Sequence, residues 1–123
     1  MGRASLAAAI GFAIAACAQA PHRLDAPRGA AGLELTPYAV YEDCVALEAG
    51  KGIDYYFSSV VPLAFNIHYH DANAVIMPIV RSGVEQDGGE FTADRAAVYC
   101  LMWEAGAEPS LLEYRIRPLP ERH

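Results

Sequence analysis

The chain is poor in basic residues, with 9 Lys and Arg against 15 Asp and Glu and a formal net charge of -6. That balance argues against nucleic acid as a partner, because backbone phosphates are held by clustered Lys and Arg. Arg115, Arg117 and Arg122 are the only local concentration of positive charge, and since they alternate with Glu113 along one strand face they read as solvating it. No charge block, internal repeat or low-complexity tract interrupts the chain. Helical periodicity is nowhere sustained, and no apolar run reaches the roughly 20 residues that a transmembrane helix needs. No serine sits in a Gly-x-Ser-x-Gly elbow, so hydrolase chemistry has no nucleophile. The acidic pairs Glu42-Asp43 and Glu85/Asp87 read as strand-end or loop charges. With no complete catalytic motif, the expectation is that the chain is not an enzyme.

What is present begins with the leader. Residues 1–16 have a basic start at Arg3, an apolar core of about 11 residues and small residues at the end, the layout of a secretory signal. Two cleavage sites compete: before Cys17, where Ile14-Ala15-Ala16-Cys17 resembles the bacterial lipobox, or after Ala18-Gln19-Ala20. Pro21 disfavours the second, since a rigid imino acid would follow the cut. Cleavage before Cys17, by resemblance to bacterial lipoproteins, implies lipidation of that residue. Acyl chains buried at about 0.8 kcal/mol per methylene make such an anchor effectively permanent. Ala18, in place of Asp, resembles the outer-membrane sorting signal of Gram-negative lipoproteins. The expected location is therefore the cell envelope, on the periplasmic side of the outer membrane. Residues 17–33, with Pro21, Pro27, Gly29 and Gly32, read as a flexible tether, and residues 34–123 as one small domain.

A domain of that size has a marginal core and gains from a covalent staple. Lipidation uses one of the three cysteines, leaving Cys44 and Cys100 as an even pair in an oxidising compartment. A disulfide is expected, worth about 4 kcal/mol on the chain-entropy account; the alternative is two buried free thiols.

The domain itself reads as short alternating runs separated by turn residues, the pattern of antiparallel β-structure. Strands are expected over 41–47, 53–59, 63–70, 74–80, 97–103 and 111–117, with Phe91 on a short extra strand and a loop bracketed by Ser82-Gly83 and Asp87-Gly88-Gly89. Ile53, Tyr55 and Phe57 share one face, as do Leu63, Phe65, Ile67 and Tyr69. Tyr56 and Tyr99 read as candidates for a contact surface. The fold class that follows is all-β: a small antiparallel β-sandwich or jelly roll. The order Cys44, Phe65-Asn66-Ile67, Tyr99-Cys100-Leu101-Met102-Trp103 and then residues 112–116 resembles the GOLD domain. That domain is a small β-sandwich of secretory-pathway cargo receptors, with a disulfide between comparable strands. The chain lacks the coiled coil and membrane helix of those receptors, so their function does not carry over. The run from Phe65 to His70 is also similar to one in small bacterial lipoproteins and secreted proteins, a resemblance that implies no activity.

One ligand-like spacing is present. His68 and His70 lie two apart on one strand face, about 7 Å from each other, and could converge on copper or zinc. The same His-x-His opens the cupin metal motif, but Ala74 and Val75 stand where its glutamate would follow and the second cupin motif is absent. Blue copper fails because no histidine follows Cys100. Asp71, Met77, Met102, Glu104, His22 or His123 could complete a looser site. Met77 depends on hairpin register: a loop of Asp71, Ala72 and Asn73 sets His68 opposite Ile76, and adding Ala74 to the loop sets it opposite Met77. The expected function is a lipid-anchored envelope binding module, held to the membrane by its anchor and engaging an envelope protein or small ligand. The alternative is a periplasmic copper- or zinc-binding protein using His68 and His70.

Overall fold

The computed structural model describes residues 22–120, and every element in that range is a strand. They are β1 (His22–Arg23), β2 (Arg28–Leu35), β3 (Val40–Leu47), β4 (Gly52–Asp71), β5 (Ala74–Thr92), β6 (Ala97–Ala105) and β7 (Ser110–Pro118). The neighbour order is β1-β3-β6-β4-β7-β2, with β5 also paired to β4. All pairings are antiparallel except β1 with β3.

β4 shapes the molecule. Its first half pairs with β7 and its second half with β6, so the curled sheet folds into two leaves that share β4 and β5. The crossover falls at Val60, Val61 and Pro62. There the ladder to β5 shifts register between Ser58 and Leu63, the proline supplies no N–H, and the Ser59 hydroxyl donates to the Val61 carbonyl at 2.7 Å. Two strands expected on either side of Pro62 are thus one bent strand. The two face assignments hold: Ile53, Tyr55 and Phe57 in the first half, and Leu63, Phe65, Ile67 and Tyr69 in the second, are all buried.

The leaves meet through aromatic rings. Trp103 of β6 packs against Tyr114 of β7 at 4.6 Å between centroids, and Phe57 against Phe65 at 4.6 Å. Ile67, Leu101, Leu112 and Ile116 close the core around them. Each such side chain contributes about 1.5–3 kcal/mol on burial. Tyr99 belongs here too, fully buried with its hydroxyl donating to the Arg95 carbonyl at 2.8 Å, and not at a contact surface as expected. It shares its face with Leu101 and Trp103, the inward set of β6.

Two further expectations are corrected. The loop expected between residues 82–83 and 87–89 is part of β5, which runs through to Thr92. Glycine is tolerated because β5 pairs on one side only. At Gly88 it is required, since a Cβ would lie 2.7 Å from the Tyr55 carbonyl oxygen. The tether expected over 17–33 also ends earlier, because β1 and β2 belong to the sheet. Gly29 lets β2 approach β7 so closely that a Cβ would meet the Tyr114 carbonyl at 2.0 Å, and Arg28 pairs with Asp43. Residues 17–21, the leader over 1–16 and Cys17 lie outside the described residues, as does His123.

Candidate functional site

The outer face of β3, β6, β4 and β5 carries most of the singled-out residues. Cys44 and Cys100 are direct cross-strand partners, Cα atoms 4.0 Å apart, and form the expected disulfide. The next strand places His68 beside Cys100 in the same row. One row away stand Glu42, Met102 and Asn66.

His68 is 5% exposed although it lies on the outer face, because the row of side chains around it covers the ring. Its Nδ1 lies 2.7 Å from Asn66 Oδ1, and its Nε2 lies 3.4 Å from Glu42 Oε1. Burial pushes the imidazole below its ordinary value; Glu42 pulls it back up in part, and His70 lowers it further. The ring is therefore held toward its neutral form, the form that can ligate a metal. His70 does share the face, as its spacing implied, with its ring edge-on to His68 at 5.4 Å between centroids. His70 is exposed, however, and among the described residues no group of three potential ligands contains both histidines. The group that does assemble is Glu42, Cys44 and Cys100.

Of the other proposed ligands, Met102 stands beside Glu42 and Asn66, one row from His68. Asp71 pairs with Arg95 at 3.4 Å, and Met77 is exposed on β5. The hairpin closes with Asp71 opposite Ala74 and His70 opposite Val75, the longer of the two offsets considered. A register shift between Ile67 and Tyr69, facing Met77 and Pro78, then leaves His68 without a ladder partner on β5. Glu42 went unrecognised as a neighbour of His68 because the contact spans β6, and strand order is not written in local spacing.

Two further surfaces stand out. β5 pairs with β4 alone, so its outer edge is free among the described residues. Along its first part Val75, Ile76, Met77 and Val80 are exposed, and no charged residue occurs from Ala74 to Val80. On the opposite leaf an open groove of about 860 Å³ lies over β2, β7 and β4. In it Tyr56, half-exposed, and Arg115 share a cross-strand row flanked by Gly88 and Gly29.

No family model, GOLD included, and no curated protein sequence matches the chain. Solved structures do. A periplasmic lysozyme inhibitor of g-type lysozyme from Aeromonas hydrophila is 11% identical, with a TM-score of 0.59 over 76% of this chain and 87% of the inhibitor. The pre-peptidase C-terminal domain of a Bacillus anthracis collagenase is 10% identical, with a TM-score of 0.55 over 79% of this chain and 93% of that domain. At such identities the likeness is one of fold: the chain shares the architecture of small all-β domains.

Proposed function

We propose that this chain is a lipid-anchored binding module of the bacterial cell envelope, without catalysis, that engages another protein through the free edge of β5. The observation carrying the reading is that edge: unpaired backbone groups flanked by Val75, Ile76, Met77 and Val80, all exposed, with no charge before Arg81. Natural edge strands are usually guarded by charges, bulges or covering segments. Here the stretch is interrupted by Pro78 and by the register shift at Met77 and Pro78, and it carries no charge. An extended segment of a partner recognises such an edge by adding a strand, with backbone hydrogen bonds giving affinity and alternate side chains giving selectivity. The leader with its lipobox supports the envelope location. That a fold of this kind occurs as a periplasmic lysozyme inhibitor supports the idea that it can act by binding protein. No target transfers at 11% identity. Metal handling by His68 and His70 together is the weaker reading, because the pair lacks a third ligand among the described residues.

A photo-reactive residue placed at Met77 in cells tests the proposal, with Glu113 on the other leaf as the control position. Met77 should give a covalent adduct with one defined envelope protein, and Glu113 should not. Adducts that are identical at the two positions, or none at Met77, would contradict it.

A further inference from the structure

Glu42, Cys44, Cys100 and His68 bring four potential donors from three neighbouring strands to one patch. The Glu42 carboxylate and the two sulfurs lie within 4.8 Å of one another, and the same carboxylate reaches to 3.4 Å from His68 Nε2. Asn66 Oδ1 can only accept, so the Nδ1 it touches carries the ring proton and Nε2 presents its lone pair. That lone pair faces a carboxylate oxygen, another acceptor. A proton shared between them would draw the atoms to about 2.7–2.9 Å, and they stand 3.4 Å apart. Two acceptors converging on one point, one of them on a side chain more than nine-tenths buried, form the environment of a cation.

We propose that Glu42, His68, Cys44 and Cys100 form a redox-gated zinc site, incomplete while the cysteines are joined and complete once a dithiol reduces them. The dithiol delivers two electrons and two protons to the sulfur–sulfur bond and leaves as a disulfide. Zinc then displaces the two thiol protons and takes both sulfurs, His68 Nε2 and one Glu42 oxygen. Tetrahedral zinc, with bonds of about 2.0–2.3 Å, sets its donors roughly 3.3–3.8 Å apart. The Glu42 to His68 contact already has that separation, whereas His68 lies outside the 4.8 Å group of Glu42 and the two sulfurs, so the freed Cys44 and Cys100 side chains must turn toward its ring to close the shell. Two thiolates, one imidazole and one carboxylate suit zinc over magnesium or calcium, which prefer oxygen alone. Asn66 is a positioning residue, fixing the tautomer that aims Nε2 at the metal. Glu42, the most exposed of the four, gives the ion its route in. His70 stands outside this donor set. The site uses neither the β5 edge nor the lipid anchor, so it stands or falls apart from the binding-module reading.

The test uses the full chain, oxidised or else reduced and desalted without oxygen, titrated with zinc against a chromophoric chelator and with cobalt(II) for its absorption spectrum. The reduced chain should bind one metal with cobalt–thiolate charge-transfer and tetrahedral ligand-field bands, and the oxidised chain should bind roughly 100-fold more weakly. His68→Ala and Asn66→Ala, reduced, should lose about 10- to 100-fold in affinity. His70→Ala should match the wild type. Where reduction loosens the sandwich, circular dichroism carries the same question: zinc should restore the β-signal in wild type and not in His68→Ala. Equal binding by oxidised and reduced chains, missing thiolate bands, a loss in His70→Ala equal to that in His68→Ala, or an unfolded reduced chain that zinc does not restore would each overturn the site.

Discussion

The Tyr114 hydroxyl donates to Asp43 Oδ2 at 2.7 Å, tying the last strand of one leaf to β3 of the other. Arg28 of β2 pairs with the same carboxylate and donates to the Cys44 carbonyl at 2.8 Å. The Tyr41 hydroxyl completes the group, 3.3 Å from that of Tyr114. Asp43 is thus the polar buckle of a largely apolar interior, and it holds the two leaves in register next to the disulfide.

Asp43 accepts from Arg28 and Tyr114 in a partly buried setting, so Asp43→Ala should cost about 1.5–3 kcal/mol. Tyr114→Phe removes the hydrogen bonds to Asp43 and Tyr41 and should cost about 1–3 kcal/mol. Urea unfolding of both variants and of the double mutant checks this. The double mutant should be more stable than the sum of the two losses implies, because the residues share one interaction.

Three tyrosines set the behaviour in alkali. Burial raises Tyr55, Tyr99 and Tyr114 above their ordinary value; Asp87 adds to the rise at Tyr55, and hydrogen bonds to Tyr41 and Asp43 add to it at Tyr114. The folded chain therefore keeps protons that the unfolded chain gives up. Their contribution to stability is intact below the unfolded tyrosine value of about 10 and falls as pH rises beyond it, by up to about 1.4 kcal/mol per pH unit for each. Urea midpoints measured from pH 8 to 11 should stay level and then drop, and Tyr114→Phe should drop less steeply. A flat profile through pH 11 would show that burial does not hold these protons.

The start of the folded unit is a third point of test. A chain beginning at residue 34, the boundary read from the sequence, lacks most of β2 and with it Arg28 and most of the pairing to β7. It should fail to unfold cooperatively, whereas a chain beginning at residue 22 should melt in one transition. Gly29→Ala in the full chain should destabilise it too, since the new Cβ meets backbone, which cannot turn aside as a side chain can. Two chains of equal stability would restore the tether over the whole of 17–33.

What the sequence disclosed followed local rules. Alternation of period two named the inward residues of both halves of β4, and cysteine parity in an oxidising compartment named the disulfide. β5 escaped because glycines at 83, 88 and 89 carry turn chemistry, and an edge strand uses them for close approach and bulging. β2 escaped because Arg28, Gly29 and Ala30 show no alternation; its place comes from β7 and Asp43, far along the chain. The histidines were legible as a same-face pair. Their true neighbours, Asn66 and Glu42, were not singled out as partners, and Glu42 enters only through the strand order β3-β6-β4.

Cys17→Ala should release the protein from the membrane to the soluble fraction and abolish acyl labelling, if the lipobox directs processing. A wild-type chain that takes up no acyl label and sits in the membrane as firmly as the variant would contradict the anchor.

The most direct measurement of the central claim is the affinity of the purified chain for the protein cross-linked at Met77, compared between an edge variant and a variant of the opposite leaf. Val80→Lys places on the β5 edge a charge that binding must desolvate and should weaken binding by about tenfold or more, whereas Tyr56→Ser should leave it unchanged. Binding that survives Val80→Lys and is lost in Tyr56→Ser would move the interaction surface to the groove over β2, β7 and β4 and contradict the account.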